Sequence, residues 1–125
     1  MITVVMERLA DQGESETLEF KRSTGALLEA MQTLCAFANG SGGTVLIGVP
    51  SDGKIIGQQV TGETLRDIAA SRDRFEPPIG VAIERIEVAI SRAVLVLIVA
   101  GTSDAAPCTY DGRAFERAGN ATRLR

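Results

Sequence analysis

Three groups of side chains in this sequence are of the types that do chemistry. The first is acidic: Glu14, Glu16 and Glu19 lie close together with Lys21 beside them. Carboxylates that converge with a third acid can hold Mg²⁺ or Mn²⁺ and activate a water for phosphodiester cleavage. Asp52 is the available third partner. The catalytic and metal-binding candidates of a nuclease reading are therefore Glu14, Glu19 and Asp52. The ordinary alternative is a solvated strand edge carrying a Glu19–Lys21 pair. The second group is the run Asn39-Gly40-Ser41-Gly42-Gly43. Glycine amides can cradle a phosphate. A nucleotide-binding loop, however, runs strand–glycine loop–helix and aims the helix N-terminus at the phosphates. Here the order is helix–glycine–strand and no Gly-Lys-Ser/Thr follows, which disfavours ATP binding of that type. A helix cap and tight corner is the competing reading. The third group is Arg113, Arg117, Arg123 and Arg125, with Asn120 and Thr122 among them. Arginines on a hairpin face can grip phosphates bidentately. An edge strand protected by charge is the competing reading. Only Tyr110 and Phe115 are nearby aromatics, so a base-stacking platform has little support.

The elements that must position these groups follow from hydrophobic spacing. Residues 2–11 place Ile2, Val5, Met6 and Leu9 at helical intervals, and Gly13 ends that helix. Over residues 17–21, Leu18 and Phe20 alternate with Glu19 and Lys21, so the acids and the lysine take the face opposite the core. Ser23 or Thr24 caps a second helix whose apolar stripe is Leu27, Met31, Leu34, Cys35 and Ala38. Asn39 and Gly40 stop it in a left-handed conformation. A buried strand follows over 44–49, then a turn at Pro50-Ser51-Asp52-Gly53. Residues 54–60 read as the returning strand of a hairpin. Thr61 or Thr64 caps a helix to about Arg72, with Leu65, Ile68 and Ala69 inward. Pro77-Pro78 ends that region. Residues 81–89 alternate, with a switch of face near Arg85 that marks a bulge or an edge strand. Residues 93–100 are apolar on both faces and read as the central strand. Residues 103–106 are loop. Asp111-Gly112 between 108–110 and 113–117 is a closing hairpin with a primed turn. The mixture of helices and hairpins predicts an α+β domain with a mixed, largely antiparallel sheet and helices packed on it.

Bulk properties bound the function classes. At 125 residues the chain is long enough for a single domain with one core. Its 45% hydrophobic and 23% charged content is that of a globular chain. A net charge of −3 does not suit a general nucleic-acid sponge, although a local basic patch is compatible with it. The absence of histidine removes His-based triads and His-containing metal sites. Cys35 lies on an apolar helix, so reduced, buried thiols are expected rather than a disulfide. The longest apolar run is far short of the ~20 residues that span a bilayer. The start of the chain lacks the basic and hydrophobic stretches of a signal peptide. The expectation is a cytoplasmic protein without membrane partners.

Four blocks taken together carry a family resemblance. They are Gly-Glu-Ser-Glu-Thr-Leu-Glu-Phe-Lys over 13–21, Cys-Ala-Phe-Ala-Asn-Gly-Ser-Gly-Gly-Thr-Val-Leu-Ile-Gly-Val over 35–49, Ile-Gly at 56–57, and Phe-Glu-Arg-Ala-Gly-Asn-Ala-Thr over 115–122. Pro107 and Tyr110 also suit the pattern. The sequence resembles the Schlafen-type, Alba-like domain, a DNA-binding domain of bacterial transcriptional regulators once called a divergent AAA domain. The resemblance covers nearly the whole chain. It implies an α+β domain that handles nucleic acid, like a domain excised from a larger regulator. In animal Schlafens two copies form a clamp around transfer RNA and an acidic trio cuts it. On this sequence the first two acids fall on Glu14 and Glu19 and the neighbouring basic residue on Lys21. The third falls on Ser51, with Asp52 one place later. Pro50-Ser51 stand where the family usually has consecutive acids, and a serine cannot supply the missing charge to a divalent ion.

The expectation is a nucleic-acid-binding domain, DNA or RNA, of a transcriptional-regulator-like protein, with a homodimer supplying the second half of a clamp. The contacts are Lys21, Arg22, Arg113 and Arg117 to phosphates, Asn39, Gly42 and Gly43 at the corner, and Thr122. No cofactor is expected, except Mg²⁺ or Mn²⁺ in the alternative of a metal-dependent endoribonuclease. A further alternative is a nucleotide-binding or protein-interaction module.

Overall fold

The computed structural model describes residues 1–102 and 107–125; the expected loop at 103–106 lies outside them. Helix α1 (Thr3–Gln12) leads into strand β1 (Leu18–Lys21), and a short 3₁₀ turn (Thr24–Ala26) opens helix α2 (Leu27–Ala38). Ser23 caps the 3₁₀ turn by accepting the Gly25 amide. Strand β2 (Gly42–Ile47) follows, then helix α3 (Gly62–Arg72), strand β3 (Phe75–Glu76), and the long hairpin β4 (Ala82–Ala89) and β5 (Arg92–Ala100). Strands β6 (Thr109–Tyr110), β7 (Arg113–Ala118) and β8 (Ala121–Leu124) close the chain.

The strands form two sheets of four, ordered β1-β2-β5-β4 and β3-β6-β7-β8. β1 and β2 are parallel because α2 crosses between them; every other strand pair is antiparallel. β5 runs between β2 and β4, buried along nearly its whole length, and β4 is the edge strand. The β4–β5 register slips between Glu87 and Ala89 rather than at Arg85. α1 covers one face of the first sheet, where Met6 and Ala10 meet Leu18, Phe20, Leu46, Val94 and Val96. α2 covers the other and is itself covered by the second sheet. Its residues Met31, Leu34, Cys35 and Phe37 pack with Val45, Ile47, Leu95, Leu97, Tyr110 and Phe115. Helix α2 is thus buried almost all round in its second half, not along one stripe. Both cysteines are free and buried. Among the described residues no helix is long and apolar enough to cross a membrane.

Three expectations need correction. Residues 54–60 are not a strand; they touch a sheet only at the Gln58–Ala93 bridge. Both edges of β2 are already taken, by β1 and β5, so a returning strand has nowhere to pair. The segment is held instead by Arg92, which donates to the Ile56 and Gly57 carbonyls at 2.8 and 2.6 Å. In α3, Thr61 and Thr64 form the expected cap reciprocally, but only Ile68 is buried, and Leu65 and Ala69 face solvent. Finally, β8 was not expected. Gly119, at φ 61°, opens a two-residue turn that pairs Ala118 with Ala121 and extends the closing hairpin to three strands.

Candidate nucleic-acid interface

Alternation along β1 sends Leu18 and Phe20 toward α1, and Glu19 and Lys21 to the opposite face. That face is not open to water, because α2 and the closing hairpin lie over it. Glu19 is only 7% exposed, so it is not part of a solvated edge. Its carboxylate lies 3.6 Å from the Lys21 ammonium and 3.5 Å from the Arg117 guanidinium, and accepts from the Thr33 hydroxyl at 3.4 Å. The Thr33 and Thr122 hydroxyls share a bond of 2.8 Å. Glu14 accepts the Phe20 amide at 3.0 Å and sits against Glu19. Burial pushes the Glu19 carboxyl above the usual range; Lys21 pulls it back, the Glu14 charge raises it further, and Arg117 lowers it.

Arg117 is the hub. Its side chain is 4% exposed. It donates to the Ser15 carbonyl at 2.6 Å, the Glu16 carbonyl at 3.2 Å and the Thr122 hydroxyl at 2.9 Å, besides pairing with Glu19. The guanidinium also lies 4.9 Å from the centre of the Phe37 ring. A guanidinium has five N–H donors in one plane; here they are directed inward, joining the ribbon before β1, helix α2 and strand β8.

The glycine corner is built by packing. Asn39 ends α2 in right-handed backbone, at φ −80°, not left-handed. Its side chain does the work: it accepts the Cys108 amide at 2.7 Å and donates to the Cys108 and Phe115 carbonyls at 2.9 and 3.0 Å. Gly42 has φ +90°, and a Cβ on Gly43 would lie 2.6 Å from the Phe37 ring. Over this corner opens a cavity of about 110 Å³ lined by Glu16, Gly40, Ser41, Gly42, Glu116 and Arg117, among others. The early ribbon, the glycine corner and the closing hairpin therefore wall one cleft.

The remaining candidates lie elsewhere. Arg22 is exposed just beyond β1, and Arg113 is exposed at the start of β7 next to the Asp111-Gly112 turn. Asp52 is exposed in its own turn, where it accepts the Lys54 amide at 2.9 Å. Among the described residues no group of three acids, cysteines or histidines is arranged to hold a metal ion. Glu14, Glu19 and Asp52 thus do not form the trio that Mg²⁺ or Mn²⁺ would need, and Glu19 already faces two cations. Thr33 was not anticipated as part of this site; its signal was a hydroxyl on the apolar stretch Ala30–Ala38, a polar group in a position that demands a partner.

The segments that meet in the cleft are those a family model recognises: the model described as Schlafen, AlbA_2 matches residues 14–124. The chain belongs to the Schlafen AlbA_2 family. Schlafen AlbA_2 membership makes this a nucleic-acid-related domain. No curated protein matches the chain. Among solved structures it is similar to the crystal structure of the DIP2311 protein from Corynebacterium diphtheriae, with a TM-score of 0.60 and 19% sequence identity. That likeness covers 88% of this chain but only 22% of the DIP2311 chain, and it concerns the fold alone. Helix α1 precedes the stretch matched by the Schlafen AlbA_2 model.

Proposed function

We propose that the domain binds nucleic acid through its phosphate backbone, as part of a cytoplasmic protein of the transcriptional-regulator type. The observation that carries this reading is the convergence of the 14–19 ribbon, the 39–43 corner and the closing hairpin on one cleft. Arg22 and Arg113, exposed outside the cleft, and Lys21, half-buried beside Glu19, are the phosphate contacts; Gly42 and Gly43 hold the corner tight against Phe37 and the Val99–Gly101 backbone. Arg117, Asn39 and Thr122 support the cleft from within. A homodimer gives the second wall of the grip, which sedimentation with and without nucleic acid tests. Fluorescence-anisotropy titrations against DNA and RNA at two salt concentrations test binding. Three phosphate contacts per chain predict a slope of log K on log salt of about −2.7 on duplex DNA and about −2 on single strands. Salt-independent binding, or none at low salt, refutes the reading.

The competing reading is a metal-dependent endoribonuclease using Glu14, Glu19 and Asp52, and the two cations that face Glu19 argue against it. Cleavage of structured RNA with Mn²⁺, abolished by Glu19→Gln, would establish it; intact RNA under those conditions counts against it.

A further inference from the structure

The family resemblance would place a divalent cation against Glu14 and Glu19, beside the basic residue at Lys21; here Lys21 and Arg117 both already face Glu19. We infer that Arg117 and Lys21 occupy the place of a metal ion, converting an acidic pair into a neutralised internal brace.

The geometry carries this in four steps. Glu19 and Arg117 are both nearly inaccessible, at 9% and 4% side-chain exposure. One carboxylate oxygen, Oε2, faces both cationic groups, Lys21 Nζ at 3.6 Å and Arg117 Nη1 at 3.5 Å. A divalent ion on that oxygen would need to sit about 2.0–2.6 Å away and carry several oxygen ligands. Thr33 takes part of the remaining capacity of the same oxygen. Second, the two positive charges that face Glu19 equal the formal charge of a divalent ion. Third, the guanidinium cannot lose its proton, so it cannot vacate its charge at any physiological pH. Fourth, Arg117 is anchored independently of Glu19 by the Ser15 and Glu16 carbonyls, so a cation arriving from solvent must break bonds it cannot replace. Pro50 and Ser51 fit the same picture: where the third acid is missing, no ligand is left over to outbid the internal cations.

The inference does not depend on nucleic-acid binding, and its test uses Mn²⁺ alone. Mn²⁺ titration of the whole chain, read by electron paramagnetic resonance of the free ion, compares the wild type with Arg117→Leu and Arg117→Leu/Glu19→Gln. The wild type should show no saturable binding at Glu19 and no Mn²⁺-dependent rise in Tm. Arg117→Leu should gain at least a tenfold tighter site, and adding Glu19→Gln should remove it. Lys21→Met, at a half-buried position with 21% side-chain exposure, carries the same expectation with a smaller gain should Arg117→Leu not fold. Saturable Mn²⁺ binding by the wild type that vanishes in Glu19→Gln overturns the inference. So does a folded Arg117→Leu or Lys21→Met chain with no gain.

Discussion

Replacing Arg117 with alanine should be among the costliest single changes in this domain. The side chain makes an ion pair with Glu19 and hydrogen bonds to Ser15, Glu16 and Thr122 while 4% exposed. At about 1.5–3 kcal/mol for each hydrogen bond to a charged group, a simple sum would overshoot, because the terms are not additive. Breaking a buried ion pair from one side costs roughly 3–5 kcal/mol, since the other charge is left uncompensated. Here Lys21 stays 3.6 Å from Glu19 and compensates in part, and water can reach the freed carbonyls through the cleft. The expected loss is therefore near the lower limit, about 3 kcal/mol, or on the order of 10 °C in Tm for a domain of this size. The chain has no tryptophan, so urea unfolding followed by far-ultraviolet circular dichroism is the suitable assay. A double-mutant cycle with Glu19→Gln should return a coupling of about 1–3 kcal/mol. A loss below about 1 kcal/mol, the scale of an exposed pair, would refute the assignment of Arg117 as an internal brace. A coupling indistinguishable from zero would refute its dependence on Glu19.

Asn39→Ala strands the Cys108 amide and the Cys108 and Phe115 carbonyls, and should cost about 2–3 kcal/mol in the same urea assay; a neutral result would mean that the side chain is not the staple described. Gly43→Ala drives a methyl into the Phe37 ring and should destabilise by roughly 1–3 kcal/mol, whereas Gly112→Asn, open to solvent but at φ +78°, should cost less, about 1 kcal/mol, because asparagine tolerates left-handed backbone. Burial raises the thiol of Cys35 and pushes that of Cys108 up to about 12. The reactive thiolate of either residue is therefore scarce in the folded state at pH 8. Iodoacetamide should leave both cysteines unmodified at pH 8 until urea unfolds the chain; rapid labelling of native protein would contradict the packing around α2.

Local chemistry made much of this fold readable. Asp111 and Gly112 both have positive φ, as the primed turn predicted from that dipeptide requires. Thr61, one of the two caps expected, does cap α3, with Thr64 returning the bond, and the run at 93–100 is the interior strand because it is apolar on both faces. What failed depended on distant partners. Period two placed Glu19 on the correct face, but nothing near it in sequence indicates that Thr33, Thr122 and Arg117 close over it. Asn39 beside glycine resembles an ordinary helix stop; only the closing hairpin explains why an amide side chain is needed there. Residues 54–60 follow a turn signal and carry Ile55, Ile56 and Val60, enough to suggest a returning strand, and lose that role because β2 has no free edge. β8 is short, with little apolar character to mark it. For the candidate site, the early acids, the glycine run and Arg117 meet in one region of the fold, yet which arginine points inward is decided by packing alone.

The brace also has a consequence for how the chain is made. Glu19 and Arg117 are 98 positions apart, and Thr33 and Thr122 are 89 apart. At a synthesis rate of about 5–20 residues per second, the gap between Glu19 and its partner is roughly 5–20 s. Throughout that interval the polar side of α2 has no lid, and the first sheet lacks β5, its own interior strand, until most of the chain has emerged. Folding of this domain therefore waits for the closing hairpin, which completes it as a keystone completes an arch.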